Sequence, residues 1–452
     1  MQYRYTKHLE NLMIKRHLSS GILSITLLSL MYSFGTFGFL NLLGARTVIQ
    51  ILLIIVLACL FYVMHTKVKV AHFFPVFVFS SLYAVGTIIH GKNFSGLLDV
   101  YVLIFCFICL IYAPPLKVIF FAKTLVIVTT FLCILIAIAF IYYQINPDEF
   151  ERANFHIFDS TVGHKKIYPG HFIDWLSFTS GDGFMINGKS ISRLKGYSNE
   201  PSSTIVHYLA PAVIAFILGG GFVYLGVFIL AVNMVTISSF TTYVIFTLSL
   251  FLLMLNIFPK RLARFLLTMT GLSFVILILQ PNLVFSIFSY VSAEAIHYVG
   301  FDMLSRKMGS GVGESSLGQR QSGIIDGMRL AIISPVGYST DKLGAGSGLF
   351  YIISSHTGWL GIFIFSFFIT RLIKNIKIIL SLSSSLMLNF GVSFLLAMLI
   401  ITLFVSGYGW SRPPGIIMLF LFFRILQIIT IEKEVLPKNI LYKYFGSPIT
   451  KK

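Results

Sequence analysis

Apolar residues run along this chain in long continuous stretches separated by short polar breaks. A helix needs roughly 20 apolar residues to cross about 30 Å of hydrocarbon. Twelve windows approach that length: 21–43, 48–64, 73–89, 97–113, 118–143, 204–218, 222–238, 240–258, 265–287, 350–370, 387–407 and 415–429. The runs do not alternate in polarity, so they predict helices and not barrel strands. The expected fold is an all-α polytopic membrane protein with about 12 transmembrane helices and two large loops on the outer face. The organisation follows as spans one to five over 1–143, loop one over 144–203, spans six to nine over 204–287, loop two over 288–349, and the last three spans with a tail over 350–452.

Each large loop has about 60 residues, far more than an ordinary connection, and such loops tend to be functional or disordered. Loop one holds Tyr168, His171, Phe172, Trp175, Phe178 and Phe184, enough aromatic surface to pack onto a membrane face. In loop two, Ile324, Ile325, Met328 and Ile332 recur at helical spacing before Pro335, which predicts a short helix on the membrane surface over 318–334. Arg320 and Arg329 are nine residues apart. On one helix they face roughly opposite ways, so at most one points into a given site.

Composition agrees with the pattern. The 452 residues are 56% hydrophobic and 11% charged, with 45 Phe and 21 Tyr, too little polar surface for an ordinary soluble domain. A net charge of +18 first suggests a nucleic-acid binder. If the amino terminus is cytoplasmic, however, nineteen Lys and Arg fall on that side, and the short outer loops carry only Arg46, Lys92 and Arg412. That is a strong positive-inside bias, which predicts both termini in the cytoplasm and removes the nucleic-acid reading. The two long loops hold twelve of the sixteen acidic residues, nearly cancelled by their own basic ones, so water-phase chemistry is expected there. The first span follows a basic stretch of 20 residues with no visible cleavage site and reads as a retained anchor.

Candidate chemistry clusters at the outer boundary. The run Arg193-x-x-Gly196-Tyr197-Ser198-Asn199-Glu200-Pro201-Ser202 leads into the sixth span. A planar guanidinium suits bidentate binding of phosphate oxygens, and a helix start adds donors. The plainer alternative is that Glu200 and Ser202 cap a helix while Arg193 anchors to lipid phosphates. Glycines 344, 346, 348, 358 and 361 and His356 close loop two; they suit anion approach and proton transfer, or merely turns and packing. Arg412 stands in a stiff Pro-rich turn, as an interface anchor or a phosphate contact. Arg424 lies inside the last span, where snorkelling to the interface is favoured. Cys59, Cys106, Cys109 and Cys133 sit within spans as packing residues, and no paired-carboxylate metal motif, nucleotide-type phosphate loop or Gly-x-Ser-x-Gly elbow occurs.

Twelve spans with two large periplasmic loops resemble the O-antigen polymerase (Wzy-type) family, within the group that includes O-antigen ligases. So do the Arg193-x-x-Gly196 … Glu200-Pro201 run and the Gln319-Arg320 … Pro335-x-Gly337 … Gly346-x-Gly348 … Gly358-x-x-Gly361 run. The resemblance implies a GT-C-like, inverting, metal-independent glycosyltransferase without cofactor. It would join undecaprenyl-diphosphate-linked oligosaccharide repeat units at the periplasmic face of the bacterial inner membrane. It also implies that Arg193 and Arg320 grip the diphosphate and that Glu200 acts as general base. Gly196, Tyr197, Arg329, His356 and Arg412 would complete the substrate site, with Tyr168 and Trp175 stacking on sugars. Membrane lipid is an implied partner, as is a chain-length regulator protein. Thr357-Gly358 follow His356 where the ligase pattern has a polar residue two positions on, which favours polymerase over ligase. A flippase or transporter is the main rival; such proteins show inverted repeats and broken or polar helices at the midplane. No repeat is evident in this sequence, and its polar residues concentrate in the outer loops.

Overall fold

In the computed structural model of the chain, the residues described are 20–31, 46–63, 70–89, 104–145, 178–186, 189–196, 205–237, 240–257, 301–302, 349–383, 385–404 and 413–435, with isolated positions 268, 333 and 335. Helices dominate them. They are α1 (Ser20–Met31), α2 (Arg46–Val63), α3 (Val70–Ile89), α4 (104–111), α5 (Pro115–Ile145), α6 (Ala210–Leu218), α7 (Phe222–Val232), α8 (Phe240–Ile257), α9 (Leu349–Leu382), α10 (Leu386–Phe404) and α11 (Pro413–Val435). Each falls on one of the apolar windows; the ninth window, 265–287, lies outside the described residues apart from position 268. Two stretches among the described residues, Pro115–Tyr142 and Leu386–Leu403, are helices long and apolar enough to cross a membrane.

The surface of α5 explains why its composition is so apolar. Leu116, Phe120, Ile127, Phe131, Ile134, Ile138, Ile141 and Ile145 form one exposed stripe at three- and four-residue spacing. Its buried face is apolar as well, with Val118, Phe121, Leu125, Val126 and Ile136 beside the smaller or polar Ala122, Thr129, Cys133 and Ala139. Thr124, Thr129 and Thr130 return their hydroxyls to the carbonyls four residues back at 2.8–2.9 Å, which satisfies them without water. A helix apolar on its outside as well as its inside suits hydrocarbon surroundings.

The core is centred on α6, every residue of which is buried. Helices α5, α7 and α10 pack around it. Close approach depends on two glycines. A Cβ at Gly226 of α7 would lie 3.0 Å from the Ala215 Cβ, and one at Gly391 of α10 would lie 2.9 Å from the Phe216 Cβ. Phe216, Phe390, Phe394 and Phe246 then interlock edge to face, with centroids 5.0 Å apart for Phe216–Phe390. The turn from α6 to α7 is Gly219-Gly220-Gly221, and Gly219 has φ 71°, ψ −166°, a region open essentially to glycine alone.

A small sheet accompanies the bundle. Its strands are β1 (Phe178–Ile186), β2 (Lys189–Gly196) and β3 (Phe301–Asp302), in order β2-β1-β3 and all antiparallel. The all-α expectation therefore holds for the bundle and omits this element of the two long loops.

Candidate functional site

The hairpin forms because Asn187-Gly188 joins two runs of strand-forming residues, Phe184-Met185-Ile186 and Lys189-Ser190-Ile191. Ile186 pairs with Lys189, leaving those two residues as the connection, the shortest hairpin link and one that favours Asn-Gly. This signal is explicit in the sequence, whereas the aromatic content of loop one predicts only packing onto a membrane face.

Register along the hairpin is irregular twice. Ser180 pairs with Arg193 and Phe184 with Ile191, so Gly181-Asp182-Gly183 oppose the single residue Ser192. Further along, Phe178 pairs with Gly196 and Thr179 with Leu194, which leaves Lys195 as an extra residue on β2. Arg193 thus stands between two bulges. Such irregularities bend and twist a strand and recur beside active sites, where they re-aim side chains.

β3 comes from loop two. Met185 pairs with Asp302 and Ile186 with Phe301, so the sheet ties the two long loops together. On its other side β2 lies against α5 and against the turn that follows α7. That turn, Asn233–Ile237, is a π-helical segment, and a second one, Ile205–Leu209, precedes α6. π-Segments are rare and frequent at functional sites.

Buried polar groups collect where these segments lie. Asn233 and Thr242 are each 0% exposed, and the Thr242 hydroxyl donates to the Asn233 Oδ1 at 2.9 Å. The Tyr243 hydroxyl donates to the Met234 carbonyl at 2.7 Å, and Thr236 to Val232 at 2.7 Å. The Asn233 Nδ2 has no hydrogen-bond partner among the described residues. A buried donor left unpaired costs about 1–3 kcal/mol. His207 lies buried in the first π-segment, beside Tyr208. Neither His207 nor Asn233 was expected: each is one polar residue inside an apolar window, where periodicity says only that a helix passes.

No protein-family model, curated protein or solved structure matches this chain.

Of the residues singled out in the sequence, Arg193 and Gly196 take places on β2 as given above. His356 lies on α9 two residues before Gly358, where φ 61°, ψ −161° interrupts the helix. Glu200, Tyr197, Arg320, Arg329, Arg412, Tyr168 and Trp175 lie outside the described residues, as does most of the 318–334 segment. Beside the interruption, Thr357 is fully buried and donates to the Ile353 carbonyl at 2.7 Å. A Cβ at Gly361 would collide with the Thr357 side chain, so this glycine makes room for a threonine one turn back.

One expectation changes. Arg424 does not snorkel free: its Nη1 donates to Gln427 Oε1 at 2.7 Å, and its Nη2 to the Ala113 carbonyl at 3.1 Å. Ala113 precedes Pro114-Pro115 at the end of α4, where carbonyls lack helical partners, and a guanidinium there satisfies one of them. His207 and Asn233 are polar residues buried inside the bundle. Cys106, Cys109 and Cys133 are buried, with the Cys109 Sγ 3.6 Å from the Leu57 carbonyl, and Cys59 is exposed.

Proposed function

We propose that the chain is a polytopic inner-membrane glycosyltransferase of O-antigen polymerase type, joining undecaprenyl-diphosphate-linked oligosaccharides at the periplasmic face. The observation that carries this reading is the sheet shared by the two long loops, with Arg193 between two bulges on the strand seated against α5 and the Asn233–Ile237 turn. That arrangement brings the strand that carries Arg193, its backbone irregularities and buried donors to one end of an apolar bundle, where a lipid-borne diphosphate would meet them.

Helix directions support an alternation of spans. The Phe107–Phe420 ring contact at 5.2 Å and the Arg424–Ala113 bond further along both helices indicate that α4 and α11 run in parallel, as the alternation of spans requires. Gly391 against Phe216 and Ile217 sets the start of α10 beside the end of α6, as that alternation also requires.

In the proposed reaction the hydroxyl oxygen of one repeat unit attacks the anomeric carbon of another. The bond from that carbon to the diphosphate breaks with its electron pair leaving on the phosphate oxygen. Arg193 and Arg320 stabilise the charge gathering on the leaving group, and Glu200 takes the hydroxyl proton. The products are the lengthened glycan, one undecaprenyl diphosphate and one proton. No cofactor or metal enters the scheme, and a chain-length regulator would act as a partner.

The interruption of α9 at Gly358 favours a second reading, a flippase for lipid-linked glycan, because broken helices are a transporter device. Reconstitution with lipid-linked repeat units separates the two. Polymer formation that is lost in Arg193→Ala and Arg320→Ala supports the polymerase; transbilayer movement without new glycosidic bonds, or normal polymer from both variants, refutes it.

A further inference from the structure

We propose that Asn233 is a ligand-binding residue that donates its carboxamide N–H groups to the oxygens of the lipid-linked diphosphate, an inference that rests on the glycosyltransferase reading above. Three observations converge on it. The side chain is wholly buried and its Nδ2 is unpartnered among the described residues. Its Oδ1 is already taken by the Thr242 hydroxyl at 2.9 Å, which leaves the donor end of the amide for another group. Its backbone opens the π-segment Asn233–Ile237, against which β2, the strand of Arg193, lies.

The chemistry narrows the ligand. An NH2 group can only donate, so its complement is an acceptor, and a hydrogen bond to a charged acceptor is roughly twice as strong as one to a neutral acceptor. Asn233 stands four residues before the end of the π-segment, about 5–6 Å below that end at ordinary helical rise. A diphosphate entering where β2 meets the π-segment would have to reach that depth to accept from the amide. Thr242 is a positioning residue, since it acts by fixing the amide.

The test uses the full chain in lipid nanodiscs, titrated with undecaprenyl diphosphate and with inorganic pyrophosphate. Two variants share the shape of the site. Asn233→Asp keeps the acceptor for Thr242 and replaces the donors by negative charge. The double change Asn233→Leu with Thr242→Val removes both polar partners together, which leaves neither unsatisfied. Each is expected to bind undecaprenyl diphosphate at least tenfold more weakly. The melting temperature of the double variant should stay the same or rise, so that weaker binding by it is not the result of a damaged fold. Wild-type binding of undecaprenyl diphosphate should be much tighter than that of pyrophosphate alone. Unchanged affinity in Asn233→Asp, or lower melting in both variants, overturns the role of Asn233. Wild-type chain that fails to bind undecaprenyl diphosphate, or binds it equally with Arg193→Ala, overturns the glycosyltransferase reading itself.

Discussion

Arg424 illustrates what a single charge does in an apolar bundle. Its guanidinium bridges Gln427 on its own helix and the Ala113 carbonyl at the end of α4, so it joins two helices through a backbone group that proline leaves open. Arg424→Ala removes both bonds and exposes that carbonyl to apolar surroundings, and a loss of about 1–3 kcal/mol is expected. Thermal melting in detergent measures it; an unchanged midpoint would show that the bridge is incidental. The sequence marks Arg424 as costly but cannot say that the remedy is a carbonyl far away in the chain. At the proposed reaction centre, Glu200→Gln should lower the polymerisation rate by about 10²–10⁴-fold, the usual contribution of general-base catalysis. Weaker donor binding instead of slower turnover would move Glu200 out of that role.

Elements are where the periodic signal is strongest. The windows at 118–143 and 387–407 are met by helices Pro115–Ile145 and Leu386–Phe404, because a long apolar run has no better way to satisfy its backbone in hydrocarbon. Other features of the helices lie outside the continuous apolar windows. The window at 350–370 continues as helix to Leu382. There Leu372, Ile376 and Ile379 are buried while Arg371, Lys374 and Lys377 are exposed, so the basic residues counted as a loop ride on an amphipathic helical extension. Packing at α6 is decided by glycines whose neighbours lie elsewhere in the chain. Gly391→Ala forces a methyl against Phe216 and should cost about 1–3 kcal/mol by overpacking. Gly358→Ala imposes φ 61°, ψ −161° on a residue with a side chain, a strain of about 1–3 kcal/mol. Both should lower the melting midpoint, and a variant that melts like the parent would contradict the conformation or the contact invoked.

For the whole molecule, the pairing of β1 with β3 makes the most direct claim, that two loops more than a hundred residues apart in sequence form one structure. Opposed Cα atoms of an antiparallel pair lie about 4.5–5.5 Å apart, within disulfide range. Met185→Cys with Asp302→Cys should therefore crosslink under mild oxidation, seen as a mobility shift after cleavage between the loops. Neither single variant should do so, and no crosslink in the pair would break the shared sheet. The line between what was readable in one dimension and what was not is physical. Helix positions, the helical class and the side-by-side bias of cationic residues follow from local runs of residue type, since hydrophobic transfer and backbone satisfaction act on each segment alone. Which carbonyl holds Arg424, which glycines let α7 and α10 approach α6, and how loop two joins the hairpin beside Asn233 depend on contacts between distant segments. Only folding in three dimensions brings those groups together.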